Sequence, residues 1–348
     1  MSVQILLTGG CGFIGSNFVR FVLRHRPDYS LVNLDALTYS GNLENLVDLE
    51  NDIPSASGRY RFVHGNICNM ELVCSLIDQC DAVVHMAAES HVDRSIIDAR
   101  PFVESNILGT QTLLDALRRV DPENRKKFVH VSTDEVYGSL PLGRSELKFT
   151  EESPLCPNSP YAASKAGSDL LVRAYQHTFG LHACITNCSN NFGPYQFPEK
   201  VIPLFVTNLI EGKRVPLYGD GKNVRDWLHV EDHCEAVLTV LECGRAGEVY
   251  NIGGDNERSN LELTHAILEM MGVGEEMIEY VKDRLGHDRR YAIDAGKIKR
   301  ELGWQPTRSV WPEALKATVQ WYIHHSQWWQ HVKSGEYRAY YERQYGQS

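Results

Sequence analysis

The chain has 348 residues, 23 % charged and 43 % hydrophobic, which excludes a predominantly disordered protein and allows one large or two moderate domains. A net charge of −10 argues against general affinity for nucleic acid or an anionic membrane, while leaving room for a local basic pocket. Nine scattered cysteines contain no C-x-x-C pair, so neither a zinc or other metal site nor a disulfide framework is expected. No run approaches the roughly 18 apolar residues of a membrane span. The opening MSVQILLTGG lacks the basic and long apolar regions of a signal peptide, so a cytoplasmic protein without membrane partners is expected.

In chain order, short apolar runs alternate with longer helical patterns through the first half. Strands are expected at 3–8, 30–35, 60–64, 82–87, 127–133 and 183–186, with helices near 13–25, 69–79, 101–119 and 159–179. That alternation implies βαβ units: an α/β fold with a Rossmann-type doubly wound parallel sheet. After about residue 190 the pattern breaks into shorter elements separated by stretches rich in Gly, Pro and Asn. A helix at 229–244 and a strand at 248–254 are expected to rejoin the first domain. The division is therefore 1–190 plus about 229–258, with a smaller discontinuous substrate-facing domain at about 191–228 plus 259–348. Trp311, Trp321, Trp328 and Trp329 near the end read as packing of a terminal helix.

Two motifs carry chemistry. T-G-G-C-G-F-I-G follows the first strand and sets Gly9, Gly12 and Gly15 where backbone N–H groups and a helix N-terminus can meet a pyrophosphate. The second strand ends in Asp35, about twenty residues on, an acid suited to ribose hydroxyls and hostile to a 2′-phosphate, which favours NAD. Further along, Y-A-A-S-K places Tyr161 and Lys165 four residues apart, on one face of a helix starting at Pro160. An ammonium beside the phenol is expected to lower its pKa towards that of a usable base.

The glycine loop, Asp35 and Y-x-x-x-K together resemble the extended short-chain dehydrogenase/reductase family over essentially the whole chain. The resemblance implies that Tyr161 deprotonates a substrate hydroxyl as hydride passes to NAD, that Lys165 holds the nicotinamide ribose, and that Thr133 assists. A simple dehydrogenase or epimerase has no use for the adjacent Asp134 and Glu135. Elimination of water has: one carboxylate takes a proton from carbon while a protonated neighbour gives one to the departing hydroxyl. Two like charges in one low-dielectric site resist joint ionisation, which splits their pKa values. Strand alternation alone would send the two side chains to opposite faces.

With S-T-D-E-V-Y-G at 132–138, A-A-E-S-H-V-D-R-S at 87–95, S-N-N-F-G-P-Y-Q-F-P-E-K at 189–200, N-V-R-D-W at 223–227 and G-H-D-R-R-Y at 286–291, the sequence resembles the dTDP-glucose 4,6-dehydratase family. That resemblance implies oxidation at C4, loss of the C5 proton to Glu135, protonation of the C6 hydroxyl by Asp134, and return of the hydride to C6 with NAD regenerated. It assigns Phe13, Ile14, Asp35, Leu37, Thr38, Asn66, Ile67, Ala87, Ala88, Ser90, Ser105 and Asn191 to cofactor contacts, beside the three glycines, Tyr161 and Lys165. It assigns Ser90, Thr133, Asn190, Lys200, Val201, Pro216, Tyr218, Arg225, Asn260, His287, Arg289, Arg290 and Tyr291 to the nucleotide-sugar substrate. A diphosphate suits Arg225 with Arg289 or Arg290, since guanidinium binds phosphate oxygens bidentately.

Asn66 stands where the family usually has Asp, Asn187 where Arg is common, and Cys11 where Ala is usual; an exposed Cys11 would make the loop sensitive to thiol reagents. The resemblance also implies a homodimer joined through helices near 101–119 and 161–179. Competing readings are a UDP-glucose 4,6-dehydratase, another nucleotide-sugar epimerase or decarboxylase, and a non-catalytic dinucleotide sensor.

Overall fold

The computed structural model describes residues 3–334; residues 335–348, placed above in the smaller domain, lie outside the described residues. Six parallel strands come from the first half: β1 (Val3–Thr8), β2 (Tyr29–Asp35), β3 (Tyr60–His64), β4 (Ala82–His85), β5 (Lys127–Thr133) and β6 (Ala183–Cys188). β7 (Asn190–Phe192), β8 (Val215–Tyr218) and β9 (Val224–His229) follow, then β10 (Val249–Ile252), β11 (Glu257–Ser259) and β12 (Ile278–Val281). The main sheet has seven strands in the order β10-β6-β5-β4-β1-β2-β3, all parallel. This is the expected Rossmann-type doubly wound sheet, with a seventh strand supplied from beyond residue 190.

Both faces of the sheet are covered, which is why its strands read as continuous apolar runs rather than alternating ones. Ile5 and Leu7 of β1 enter one core with Phe18, Val22, Val237 and Leu241. Leu6 enters the other with Val73, Ile77, Leu113, Leu117 and Val172. The order in which strands are added across the sheet reverses between β1 and β4, so loops leaving their carboxyl ends part and open a crevice.

The helix Pro160–Phe179 starts where expected. The Ser159 hydroxyl accepts from the Ala162 N–H at 3.1 Å, proline occupies the first turn, and Gly180 closes the end in a left-handed conformation. The expected helix near 101–119 differs: Val103–Gly109 is π-helical and only Thr110–Val120 is a regular α-helix. Asn106, within the π-helical turn, exchanges hydrogen bonds with the main chain of Glu89 and donates to the Ser164 hydroxyl at 2.8 Å. The wider turn thus carries a polar bridge between the β4 loop and the Tyr161 helix.

Beyond residue 190, small sheets in the orders β11-β9-β7 and β12-β8 pack with the helices Val201–Ile210, Asn260–Met271 and Glu313–His324. Trp329 and Tyr322 are buried in that cluster, and Trp311, Trp321 and Trp328 are partly buried against it. Helix Val230–Cys243 returns to pack on helix Phe13–His25, and β10 pairs with β6. Among the described residues no helix is long and apolar enough to cross a membrane.

Candidate active site

A cavity of about 590 Å³ occupies the crevice and joins the two sequence motifs in one space. Gly9, Gly12, Phe13, Ile14, Gly15, Asp35, Thr38, Asn66, Ile67, Ala87, Ala88, Ser90, Ser105 and Asn191 line it, together with Thr133, Asp134, Glu135, Tyr161, Lys165, Asn190 and Lys200. Leu37 is not on its wall; it holds φ +51° and its N–H donates to Asp35 Oδ1 at 2.8 Å, fixing the acid from behind.

At the glycine end the backbone approaches too closely for side chains. A Cβ on Gly15 would lie 2.1 Å from the Gly9 carbonyl oxygen. Gly9 has φ +77°, and a Cβ there would meet Ala87 at 2.7 Å. Asp35 Oδ2 accepts from the Cys11 N–H at 2.8 Å, so the acid also braces the loop. Among the described residues lining the cavity there is no arginine to receive a 2′-phosphate. These features fit a dinucleotide without that phosphate. Cys11 itself is fully buried, its sulfur accepts from Asn33 Nδ2 at 3.3 Å, and burial, then Asp35, pushes its thiol up to about 12. The exposure that would make the loop sensitive to thiol reagents is therefore not present: the thiolate is disfavoured and out of reach.

At the other end β5 stops at Thr133, and Asp134–Tyr137 form a single 3-10 turn. The Thr133 hydroxyl accepts from the Glu135 N–H at 3.3 Å, starting the turn. Because the chain coils there instead of continuing extended, both carboxyl groups line the cavity. Their surroundings differ. Asp134 is buried, its Oδ2 has no hydrogen-bond partner among the described residues, and burial, then Glu135, hold its carboxyl well above the usual range. Glu135 is also raised by burial, but Arg284, Arg225 and Lys200 oppose the shift. Protons thus favour Asp134 and charge favours Glu135.

Tyr161 and Lys165 do share one wall, as their spacing requires, but the expected lowering of the phenol by the ammonium is corrected. Burial, then the Glu135 carboxylate, push Tyr161 well above its ordinary value, and the Thr133 hydroxyl is the group that pulls it down. Lys165 Nζ donates to the Val131 carbonyl at 2.9 Å, and burial lowers its pKa to about 8 against the attraction of Asp169.

The remaining substrate-side residues do not line this cavity. Val201 opens helix Val201–Ile210, Pro216 and Tyr218 lie in β8, and Asn260 opens helix Asn260–Met271. Arg225 of β9 is buried with its guanidinium over the Tyr291 ring at 4.2 Å and donates to the Asp288 carbonyl at 3.0 Å. Tyr291 donates to Asp288 Oδ2 at 2.7 Å, and His287 packs edge-on to Tyr218. Arg289 faces outward in a two-pronged pair with Asp220, at 3.1 and 3.0 Å.

Arg290 is a correction. Its Nε and Nη2 reach Glu257 at 2.8 Å, and the remaining N–H groups go to the carbonyls of Leu147 at 2.9 Å, Arg144 at 3.2 Å and Ser145 at 3.2 Å. All five guanidinium donors are used, which leaves none for a phosphate.

Two groups tied to the site have no assignment in the sequence reading. Arg284, 3.5 Å from Asp93, is a principal cation acting on Glu135, yet it sits two residues before the G-H-D-R-R-Y string. Glu199, inside the 189–200 string, lines the cavity, accepts from the Tyr39 hydroxyl at 3.0 Å and is raised by burial to about 7.

The family model for GDP-mannose 4,6 dehydratase matches residues 6–313. The chain is 48 % identical to the dTDP-glucose 4,6-dehydratase of Salmonella typhimurium over 99 % of each chain. It belongs to the dTDP-glucose 4,6-dehydratase family. The Streptomyces niveus member is 52 % identical over 95 % of this chain and 96 % of its own. A Streptomyces venezuelae member, solved with NAD bound, superposes with a TM-score of 0.89 at 51 % identity, covering 95 % of this chain and all of that one.

Proposed function

We propose that the protein dehydrates dTDP-glucose to dTDP-4-keto-6-deoxyglucose with NAD held in the crevice. The observation that carries this reading is the placement of Asp134 and Glu135 in the same cavity as the glycine loop, Tyr161 and Lys165. NAD, when bound there, would accept a hydride from C4 and give it back to C6, and its cationic ring would lower the pKa of a neighbouring phenol.

Tyr161 takes the C4 hydroxyl proton, assisted by Thr133, and Lys165 secures the cofactor ribose. A ketone at C4 acidifies the C5 proton, which Glu135 removes, its ionised form favoured by Arg284, Arg225 and Lys200. Asp134, kept protonated by burial and by Glu135, gives its proton to the C6 hydroxyl as water leaves. Atoms balance: C5 loses a proton and C6 loses hydroxide as one water forms, then C6 takes back the hydride removed from C4 and C5 regains a proton from Glu135, which leaves the cofactor oxidised and Glu135 ionised. Arg225, assigned to the substrate by its motif, is the cation proposed for the nucleotide diphosphate, with Asn190 and Lys200 on the sugar side.

The reading extends to assembly and location. Residues 1–190 plus about 229–258 form the NAD domain, and the remaining described segments form the nucleotide-sugar domain. Exposed Ile97, Val103 and Leu170 give the helical segments near 92–103 and 160–179 an apolar face suited to a homodimer. Nine free thiols suit the reducing cytoplasm.

The test incubates purified protein with dTDP-glucose or UDP-glucose, without added NAD, and follows the 4-keto product by its alkaline absorbance. Product from dTDP-glucose is expected. Absence of product from both sugars would defeat the dehydratase reading, and preference for UDP-glucose would redirect it to the uridine nucleotide.

A further inference from the structure

The last described helix, Ser326–Lys333, belongs to the second lobe, anchored by buried Trp329, yet its Trp328 and Val332 form part of the cofactor cavity wall. Trp328 Nε1 donates to Asn45 Oδ1 at 3.0 Å, bridging 283 positions of sequence. Asn45 is buried, and its Nδ2 donates in turn to the Cys11 carbonyl of the glycine loop at 2.8 Å. The main-chain oxygen of Asn45 accepts from Arg20 at 2.8 Å, and the Asn42 N–H donates to the same Cys11 carbonyl at 3.0 Å. One side of this seam is therefore the loop that would cradle the pyrophosphate, and the other is the last described helix of the second lobe. The indole is held on its own side by edge contacts with Trp321 at 5.3 Å and Tyr195 at 5.6 Å. His331 faces Glu44 at 3.4 Å across the same seam, an exposed pair that contributes little.

We propose that Trp328 and Asn45 form a clasp between the two lobes that retains the dinucleotide through the catalytic cycle. The inference rests on the NAD reading above. A dehydration that takes electrons at C4 and must return them at C6 gains from such a clasp, because release midway strands the ketone. A nucleotide leaving past this wall must part Trp328 from Asn45 or move Asn45 off the glycine loop. Both are positioning residues for the cofactor, without a part in the bond-making steps.

The experiment loads the full-length protein with radiolabelled NAD, chases with unlabelled NAD, and measures release by filtration without sugar present. Trp328→Phe keeps a ring in the aromatic cluster and loses only the indole donor. It is expected to release NAD on the order of fivefold faster, the effect of one ordinary hydrogen bond. Trp328→Ala, which also opens the wall, is expected to release it faster still. Melting of Trp328→Phe beside wild type checks that the fold is kept. Release at the wild-type rate from both variants would overturn the clasp while leaving the NAD reading intact. A wild-type protein that neither carries nor takes up NAD would overturn both.

Discussion

Two pairs of adjacent like charges, Asp134–Glu135 and Arg289–Arg290, meet opposite fates. The acids sit in a 3-10 turn, where successive side chains are about 120° apart and can converge on one space. The arginines follow a turn at Leu285–Gly286, and Arg290 makes a single parallel bridge to Val224 of β9, so the two side chains leave the chain on different sides. Arg290 turns inward and is consumed by Glu257 and three carbonyls, while Arg289 turns out to Asp220. Adjacency in sequence thus says little about shared function until the backbone between the residues is known.

The acid pair offers the largest test of this contrast. Glu135→Gln is expected to lower turnover by roughly 10²–10⁴-fold while sparing oxidation at C4. Solvent deuterium uptake at C5 should fall with it; uptake at the wild-type rate would remove Glu135 from that step.

The two acids should also separate by pH. Ionised Glu135 is required, so activity should rise as pH climbs through its raised pKa. Protonated Asp134 is required, so activity should fall as pH passes the raised pKa of that group. Asp134→Asn, which cannot donate the proton, should be slow at every pH and lose the alkaline limb measured for wild type. An alkaline limb at its original place in this variant would assign it to another group.

For the arginines the expectation reverses the usual order of importance. Arg290→Met should destabilise the fold by about 3 kcal/mol, because half-buried Glu257 and three partly buried carbonyls lose the buried guanidinium that ties them together. Arg289→Ala, which removes an exposed pair, should change stability by less than about 1 kcal/mol. Urea unfolding of both variants checks this; equal effects would erase the distinction between inward and outward arginine.

The smallest effect concerns the glycine loop. Alkylation under native conditions should label exposed Cys156 and Cys243 and leave Cys11 unmodified, with or without NAD. Peptide mapping showing early labelling of Cys11 would mean that the loop opens more readily than its packing implies.

The glycine spacing, Asp35 and the Tyr161–Lys165 pair were legible because each works through contiguous chain: a strand, its turn and the helix that follows. Helix Pro160–Phe179 could be bounded by its Ser159 cap and Gly180 stop, which are local chemistry. The π-helical turn at Val103–Gly109 could not, since it answers to Asn106 bonding across to Glu89 and Ser164. Arg284 was missed for the same reason: its partners Asp93 and Glu135 come from distant segments.

The sequence by itself determined the parallel sheet, the dinucleotide loop and the presence of an acid pair, because periodicity and turn chemistry act over a few neighbouring residues. Only the tertiary structure decided that both acids face one cavity, that burial and distant cations divide their protons, and that Arg290 and Cys11 are structural. Those outcomes depend on desolvation and on charges brought together from remote parts of the chain, which no local pattern encodes.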